Sequence, residues 1–550
     1  VALGLSAGAC GGGSGTPPID GAGGVIDGAP LPDADPAAPD GDPAGTWRSA
    51  LFPADWTPDF TGPDGNFLHD FSYAGYHRSE VALPTAWPGD TFNVVDYGAV
   101  PAPADSRAAF VAAIAAASVA GGIVYVPDGE YRIVGRLQIS ASGVVLQGQS
   151  RAGTKLVFAD DALSGSQSLA FVGAAQNGGG GVAITTDVAP RSHVVTVTDA
   201  SGLAVGDDVL IDHVITAGFI ADHGMGGVWD DDVNPALGQR KVFYRREIVA
   251  IDGADVTLDA PIRYPLLQRD SPELRLDTGL LRECGLERLS INNAVDPGVA
   301  DVTPRAHAIG MHHVTDCVIR DVGTYDSSHA PTTDHLMSGG IEIVGSKRVT
   351  VADSSIAHAQ NHGDGGAGYG YEVSMSSDVL FRDSHVEDVR HGFIQNWDFG
   401  TTGVVWLRCD AVDDVAINNG FAQAGRSEFH HRLAIANLFD STTDTAGFAS
   451  YNRGSESSNS GHAGTENVFW NIAGEDDGTR ASLFQVGRGY VIGTRDLSAM
   501  VEPDIIDEFQ GHADGTDPVD WLEGADQGAT LWPPSLFEAQ LAQRLAALAR

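Results

Sequence analysis

The strongest constraint on the fold is a repeat. Gly339-Gly340-Ile341-Glu342-Ile343-Val344 is followed by Val349-Thr350-Val351-Ala352-Asp353-Ser354. The pattern restarts as Gly370-Tyr371-Glu372-Val373, followed by Val379-Leu380-Phe381-Arg382-Asp383-Ser384. Apolar positions match apolar ones, Glu342 matches Glu372, and Asp353-Ser354 matches Asp383-Ser384. A third copy opens at Arg390-His391-Gly392-Phe393. Short strands recurring at about 30 residues cannot bury a face singly, so they stack as the coils of a solenoid.

Stacked strands turn alternate side chains in and out. Ile341, Ile343, Tyr371 and Val373 are expected to point inward, and Glu342 and Glu372 outward, one above the other. Gly310 takes the matching place in the preceding coil. Phe393 is expected to continue the column and Phe429 to resume it, with His430 and His431 alongside. The outward band then holds Glu342, Glu372, Arg390, His391 and His430. Adjacent carboxylates repel, so one should hold a proton or share a cation. A carboxyl with a raised pKa can act as general acid or base. The alternative is a structural ladder in which each glutamate pairs with a neighbouring Arg or His. Asp364, in the loop Asn361-His362-Gly363-Asp364-Gly365-Gly366, is a further candidate acid.

Composition sharpens the choice of partner. The 550 residues hold 73 Asp+Glu against 32 Lys+Arg, a formal charge of −41. That opposes nucleic acid and anionic membranes as partners. It also opposes a polyanionic substrate unless the field is reversed locally. Arg382, Arg390, Arg408, Arg426, Arg432 and Arg453 supply such a reversal in a base-poor chain. Arg382, Arg408, Arg453, His462 and Trp397 are the expected substrate contacts. The 69 glycines, with short Val/Ile runs between turns, favour many short strands over helices. The four cysteines, Cys10, Cys284, Cys317 and Cys409, lack metal-binding spacing. No metal ligand set is assigned, and calcium is the one cofactor left open, the acidic run Asp230-Asp231-Asp232 being one place for it. A monomer is expected.

In chain order, Val1 to Cys10 reads as the end of an export signal. Its small residues before Cys10 and the glycines after it resemble a bacterial lipoprotein cleavage site, which implies lipidation at Cys10 and a place outside the cell or on its surface. Residues 11–46 read as a disordered tether, and 47–91 as an aromatic-rich lid. The first coils span 92–181, an inserted antiparallel β unit 182–266, the main coils 267–497, and a tail with a capping helix 498–550. Asp105 is expected to cap a helix reaching about Val119.

Phe92-Asn93-Val94-Val95-Asp96-Tyr97-Gly98-Ala99, then a helix, then Gly121-Gly122-Ile123-Val124-Tyr125-Val126-Pro127-Asp128-Gly129-Glu130-Tyr131 closely resembles the opening of the pectate-lyase-like superfamily. The resemblance covers about 92–148 and implies a right-handed parallel β-helix acting on polysaccharides by elimination, hydrolysis or epimerisation. The polygalacturonase pieces are absent apart from Asp413-Asp414, and so is the pectate lyase Arg-x-Pro-x-x-Arg piece. Three functions follow. One is a polysaccharide lyase, with Arg390 or His391 as base and Arg residues or a cation neutralising a uronate carboxylate. The second is a glycoside hydrolase using Glu342, Glu372 or Asp364. The third is a non-catalytic glycan-binding solenoid whose stacking platforms lie near Trp56 and Trp397.

Overall fold

Strand pairing follows the repeat. The computed structural model describes residues 42–550 apart from 160–165, 175, 304, 364, 413–416, 419–421, 424 and 503–518. The leader with Cys10, most of the tether, Asp364 and Asp413-Asp414 lie outside the described residues. The chain is a right-handed parallel β-helix with an inserted antiparallel sheet and a C-terminal helix. A 19-stranded parallel sheet and a ten-stranded parallel sheet form the coil walls. Among the described residues no helix is long and apolar enough to cross a membrane.

Register sets the core. In the ten-stranded sheet Ile309 pairs with Ile341, Ile341 with Tyr371 and Tyr371 with Phe393. All four are buried. Tyr371 and Phe393 stack with ring centroids 5.1 Å apart. Phe393 is therefore an inward rung, contrary to expectation, and Ile394 takes the outward place below Glu372. On the long sheet Phe381, Trp406, Phe439 and Phe469 stack in register, with interplanar angles of 5°, 14° and 16°. Such offset-parallel columns add to the transfer energy of burying each ring.

Polar ladders occupy the turns. Asn437 N–H and Nδ2 both donate to Asn467 Oδ1, each at 2.9 Å. Asn467 N–H and Nδ2 donate to Gln485 Oε1, and Gln485 N–H and Nε2 donate to Asp520. Each side-chain oxygen accepts the backbone N–H of the preceding coil, and each amide nitrogen donates to the next coil, so buried polar groups stay satisfied.

The inserted unit is a six-stranded antiparallel sheet, including Asp208–Val214, Arg240–Asp252 and Glu273–Thr278. It docks on coil turns through buried ion pairs: Arg246 and Arg263 share Asp378, at 3.0 and 2.7 Å, and Lys347 pairs with Asp208 at 2.7 Å. Asp230 and Asp231 accept backbone N–H groups of their own loop, Gly227 and Val233. Near the start, Ser106 precedes the helix Arg107–Ala117 without capping it, while Asp105 Oδ1 accepts Arg107 N–H. Residues 47–91 lie along the long sheet, where Phe52, Trp56 and Phe71 pack with Trp470, Tyr490 and Phe537. Trp56 is buried there, so it is no open stacking platform. The C-terminal helix Leu536–Leu548 is capped by Ser535 and held by Asp440, whose Oδ2 accepts Ser535 Oγ–H and Phe537 N–H. Cys284, Cys317 and Cys409 are buried free thiols.

The amide ladder yields a test. Asn467→Leu leaves the Asn437 N–H without its acceptor in the interior. It should lower the unfolding free energy by about 2–4 kcal/mol, read by urea denaturation followed by far-UV circular dichroism.

Candidate active site

The outward face of the ten-stranded sheet gathers the chemistry. Glu342 and Glu372 are direct register partners on Gly339–Val344 and Tyr369–Ser374. Neither is open to solvent: Glu342 is 5% exposed and Glu372 0%. Five residues that the sequence reading passed over surround them. Arg305 Nη2 lies 3.4 Å from Glu342 Oε1 and 2.9 Å from Glu372 Oε1. The His307 ring sits between the carboxylates, with Nδ1 3.7 Å from Glu342 Oε2 and Nε2 3.0 Å from Glu372 Oε2. Gln167 Nε2 donates to Glu342 Oε2 at 2.7 Å, and His312 Nε2 lies 3.1 Å from the same oxygen. Asn396 Nδ2 donates to Glu372 Oε1 at 3.1 Å.

Two glycines make room for this. His307 pairs with Gly339 across the sheet, and a Cβ on Gly339 would sit 2.4 Å from His307 Cδ2. A Cβ on Gly310 would sit 2.6 Å from Gln167 Cγ and 3.0 Å from His312 Nε2. Strict alternation fails at this rung. Ala308 and Ile309 both pack in the core, which turns His307 outward.

Of the two expected arrangements, a held proton or a shared cation, the electrostatics favour the shared cation. Burial pushes the Glu342 carboxyl up, but His307, His312 and Arg305 pull it down to about 2. Burial likewise opposes ionisation of Glu372, and Arg305 and His307 outweigh it to leave its pKa lowered. Burial pushes His307 down, while Glu342 and Glu372 together raise it above its ordinary value. The two carboxylates share cations instead of sharing a proton.

A second cluster lies further along the same face. Ile394 pairs with Glu428, two rungs beyond Glu372. Glu428 is buried, bonds His430 Nδ1, accepts Arg453 Nη2 at 2.7 Å and lies 3.6 Å from His391 Nε2. Burial opposes its ionisation, but Arg453, His430 and His391 hold its pKa well below the usual range. His391 Nδ1–H donates to the Arg426 carbonyl at 2.7 Å. Its Nε2 is buried and makes no hydrogen bond. Burial, with Arg390 and His430 close by, lowers His391 to about 3, so the ring is neutral with its lone pair on Nε2. Burial and Arg453 bring His430 to about 4. Arg390 Nη1 donates to the Gly363 carbonyl at 2.8 Å, and its guanidinium lies 6.0 Å from the Tyr369 ring centroid.

Trp397 stands between the clusters, 37% exposed, stacked on His431 at 5.0 Å and with Arg305 5.1 Å from its ring centroid. Trp397 and Asp398 both have left-handed backbones, φ 48° and 46°. Asp398 is held by Lys241 of the inserted unit at 2.5 Å, which ties that turn to the insertion.

The face thus brings together Glu342, Glu372, Arg390, His391, His430, Trp397 and Arg453. Three expected contacts lie elsewhere. Arg382 and Arg408 belong to the long sheet. Both pair with Asp383, and Arg408 also pairs with Glu538 of the C-terminal helix. His462 is buried beside His223 of the insertion; burial and that histidine lower it to about 4.

Comparison with known proteins finds matches over parts of the chain. Residues 91–203 match the family "Rhamnogalacturonase A/epimerase, pectate lyase-like", and residues 400–550 match a domain of unknown function, DUF4955. A Klebsiella phage K64-1 protein, "Depolymerase, capsule K1-specific", is 26% identical over 215 residues, 39% of this chain. That match spans 21% of the phage protein, about a fifth of its length. The tailspike protein gp49 from Pseudomonas phage LKA1 superposes with a TM-score of 0.49 and 13% identity, covering 74% of this chain and 64% of that one. The catalytic unit of a GH87 α-1,3-glucanase from Streptomyces thermodiastaticus gives 0.33 and 14%, covering 81% and 70%.

The buried imidazoles make stability pH-dependent. His391, His430 and His462 are neutral when folded and take up protons near 6.5 when unfolded. A depressed folded pKa means the unfolded chain binds more protons below that point, so stability falls as pH drops from about 6.5 towards 4. His391→Gln should reduce the loss between pH 7 and pH 5 by about 1–2 kcal/mol, read by urea titration at both values. Over residues 91–203 the chain is similar to the pectate-lyase-like family, and its coils form a parallel β-helix.

Proposed function

We propose that this protein cleaves a uronate-containing surface polysaccharide by β-elimination, on the outward face of the ten-stranded sheet. The carrying observation is His391. Its Nδ1–H is committed to the Arg426 carbonyl, so the unpartnered Nε2 lone pair is the base in the band. His391 takes the proton from the carbon beside the uronate carboxylate. The electron pair left behind forms the carbon–carbon double bond as the bond to the glycosidic oxygen breaks, and that oxygen takes a proton from water. Arg390 and Arg453 offset the substrate carboxylate in a chain otherwise strongly acidic. A uronate anion arriving beside His391 raises the basicity that burial has suppressed. Trp397 offers an exposed ring for a sugar face. The likeness to a capsule depolymerase supports a polysaccharide substrate met outside the cell.

Hydrolysis is the second reading, favoured by the in-register Glu342–Glu372 pair. There His307, its pKa raised between the two glutamates, would supply the proton. The two readings separate in one assay with a panel of acidic and neutral polysaccharides. Elimination raises unsaturated-uronide absorbance and reducing ends together. His391→Ala should then slow both by about 10²–10⁴-fold with an unchanged far-UV spectrum. Reducing ends without absorbance would favour hydrolysis, and neither signal on any glycan of the panel would sink both readings.

A further inference from the structure

We infer that Glu342, Glu372 and His307 form a binding site for a first-row metal dication such as Zn²⁺ or Mn²⁺, with His312 closing its outer side. One donor atom from each of Glu342, Glu372 and His307 lies within 4.8 Å of the others. The carboxylates divide their oxygens by side. Both Oε1 atoms face Arg305, and both Oε2 atoms face the histidines. A dication on the Oε2 side therefore does not displace the guanidinium.

Unpartnered buried atoms point into this space. His307 and Glu372 are both 0% exposed. Neither nitrogen of His307 makes a hydrogen bond, nor does Glu372 Oε2, although Nε2 and that oxygen are only 3.0 Å apart. The ring N–H does not aim at the oxygen. Buried polar groups are nearly always satisfied, so a close pair left unsatisfied calls for a missing partner. A metal fills that role. Ligands bound at about 2.0–2.2 Å lie roughly 3.0–3.5 Å apart, close to the 3.0 and 3.1 Å at Glu372–His307 and Glu342–His312.

The surroundings resemble a second coordination shell. Gln167, Asn396 and Arg305 hold the remaining carboxylate lone pairs and fix both side chains. Gly310 and Gly339 clear the space that the two imidazoles occupy. An imidazole-plus-carboxylate donor set suits Zn²⁺, Mn²⁺ or Fe²⁺, whereas Ca²⁺ takes six to eight oxygens. Binding replaces any proton on His307, as metal binding to histidine must. The site does not depend on which bond the enzyme cleaves, and its test does not read activity.

The test uses the untagged full chain, incubated separately with Zn²⁺, Mn²⁺ and Ca²⁺, dialysed, and assayed by elemental analysis and thermal denaturation. The expected result is about one equivalent of Zn²⁺ or Mn²⁺ retained per chain with a raised Tm, and no Ca²⁺ retained. Glu372→Gln and His307→Ala should abolish retention, and Gln167→Ala should weaken it about tenfold or more. If those variants misfold, Co²⁺ loaded into the wild-type chain gives an independent reading: visible absorption bands of a nitrogen- and oxygen-ligated ion, bleached by added Zn²⁺. No retained transition metal in the wild-type chain overturns the inference. So does retention undiminished in folded Glu372→Gln and His307→Ala, or a Co²⁺ spectrum identical to the aqueous ion.

Discussion

In-register stacking of coils is the constraint on which everything else rests. A parallel β-helix repeats its backbone about every 4.8 Å, so each side chain meets its counterpart above and below. Apolar positions respond by forming columns, from Ile309 through Ile341 and Tyr371 to Phe393. Amides form the ladder from Asn437 to Asp520. The same rule brings charges together, and stacked like charges must be neutralised or the coils part. At Glu342 and Glu372 the solution is Arg305 and His307, drawn from the preceding coil. At Glu428 the charge is offset by Arg453, with a neutral His430 hydrogen-bonded beside it.

Those two neutralised clusters give the outward face its character. Each holds carboxylates ionised in a buried setting through cations that themselves lack full hydration, an arrangement costly to assemble and rigid once made. Between them stands Trp397, on a left-handed turn braced by Lys241 of the insertion through Asp398. Strain of this kind survives where its surroundings impose it, and it concentrates at working sites. The insertion is anchored to the coil turns by Arg246, Arg263 and Lys347. It therefore helps place the aromatic ring, beyond decorating the solenoid.

Much of this was legible in the sequence, and the limits have physical causes. The repeat from Gly339 to Val373 displays the core alternation and the Glu342–Glu372 register because both coils have the same length and no bulge. His307 was hidden because Ala308 and Ile309 both turn inward, breaking the period of two that sequence reading assumes. The one trace of it was Gly339, the glycine facing His307 across the sheet. Glu428 was missed because the coil length changes, from 30 residues between Glu342 and Glu372 to 22 between Glu372 and Ile394 and 34 between Ile394 and Glu428, so the expected column fell on Phe393 and Phe429 when the rungs are Ile394 and Glu428. Arg382 and Arg408 share the outward parity of their strands but lie on the other wall, and parity alone does not say which wall a strand belongs to. His462 failed for a similar reason, since only the fold shows that the insertion covers it.

The central claim is that a glycan lies along the outward column from His312 to Arg453. A crystal structure of the chain with an acidic oligosaccharide tests it most directly. The account predicts sugar density across Trp397, with a uronate carboxylate beside Arg390 or Arg453 and a ring carbon facing His391 Nε2. Density confined to the opposite wall, near Arg382 and Arg408, with the Trp397 face bare, would contradict it.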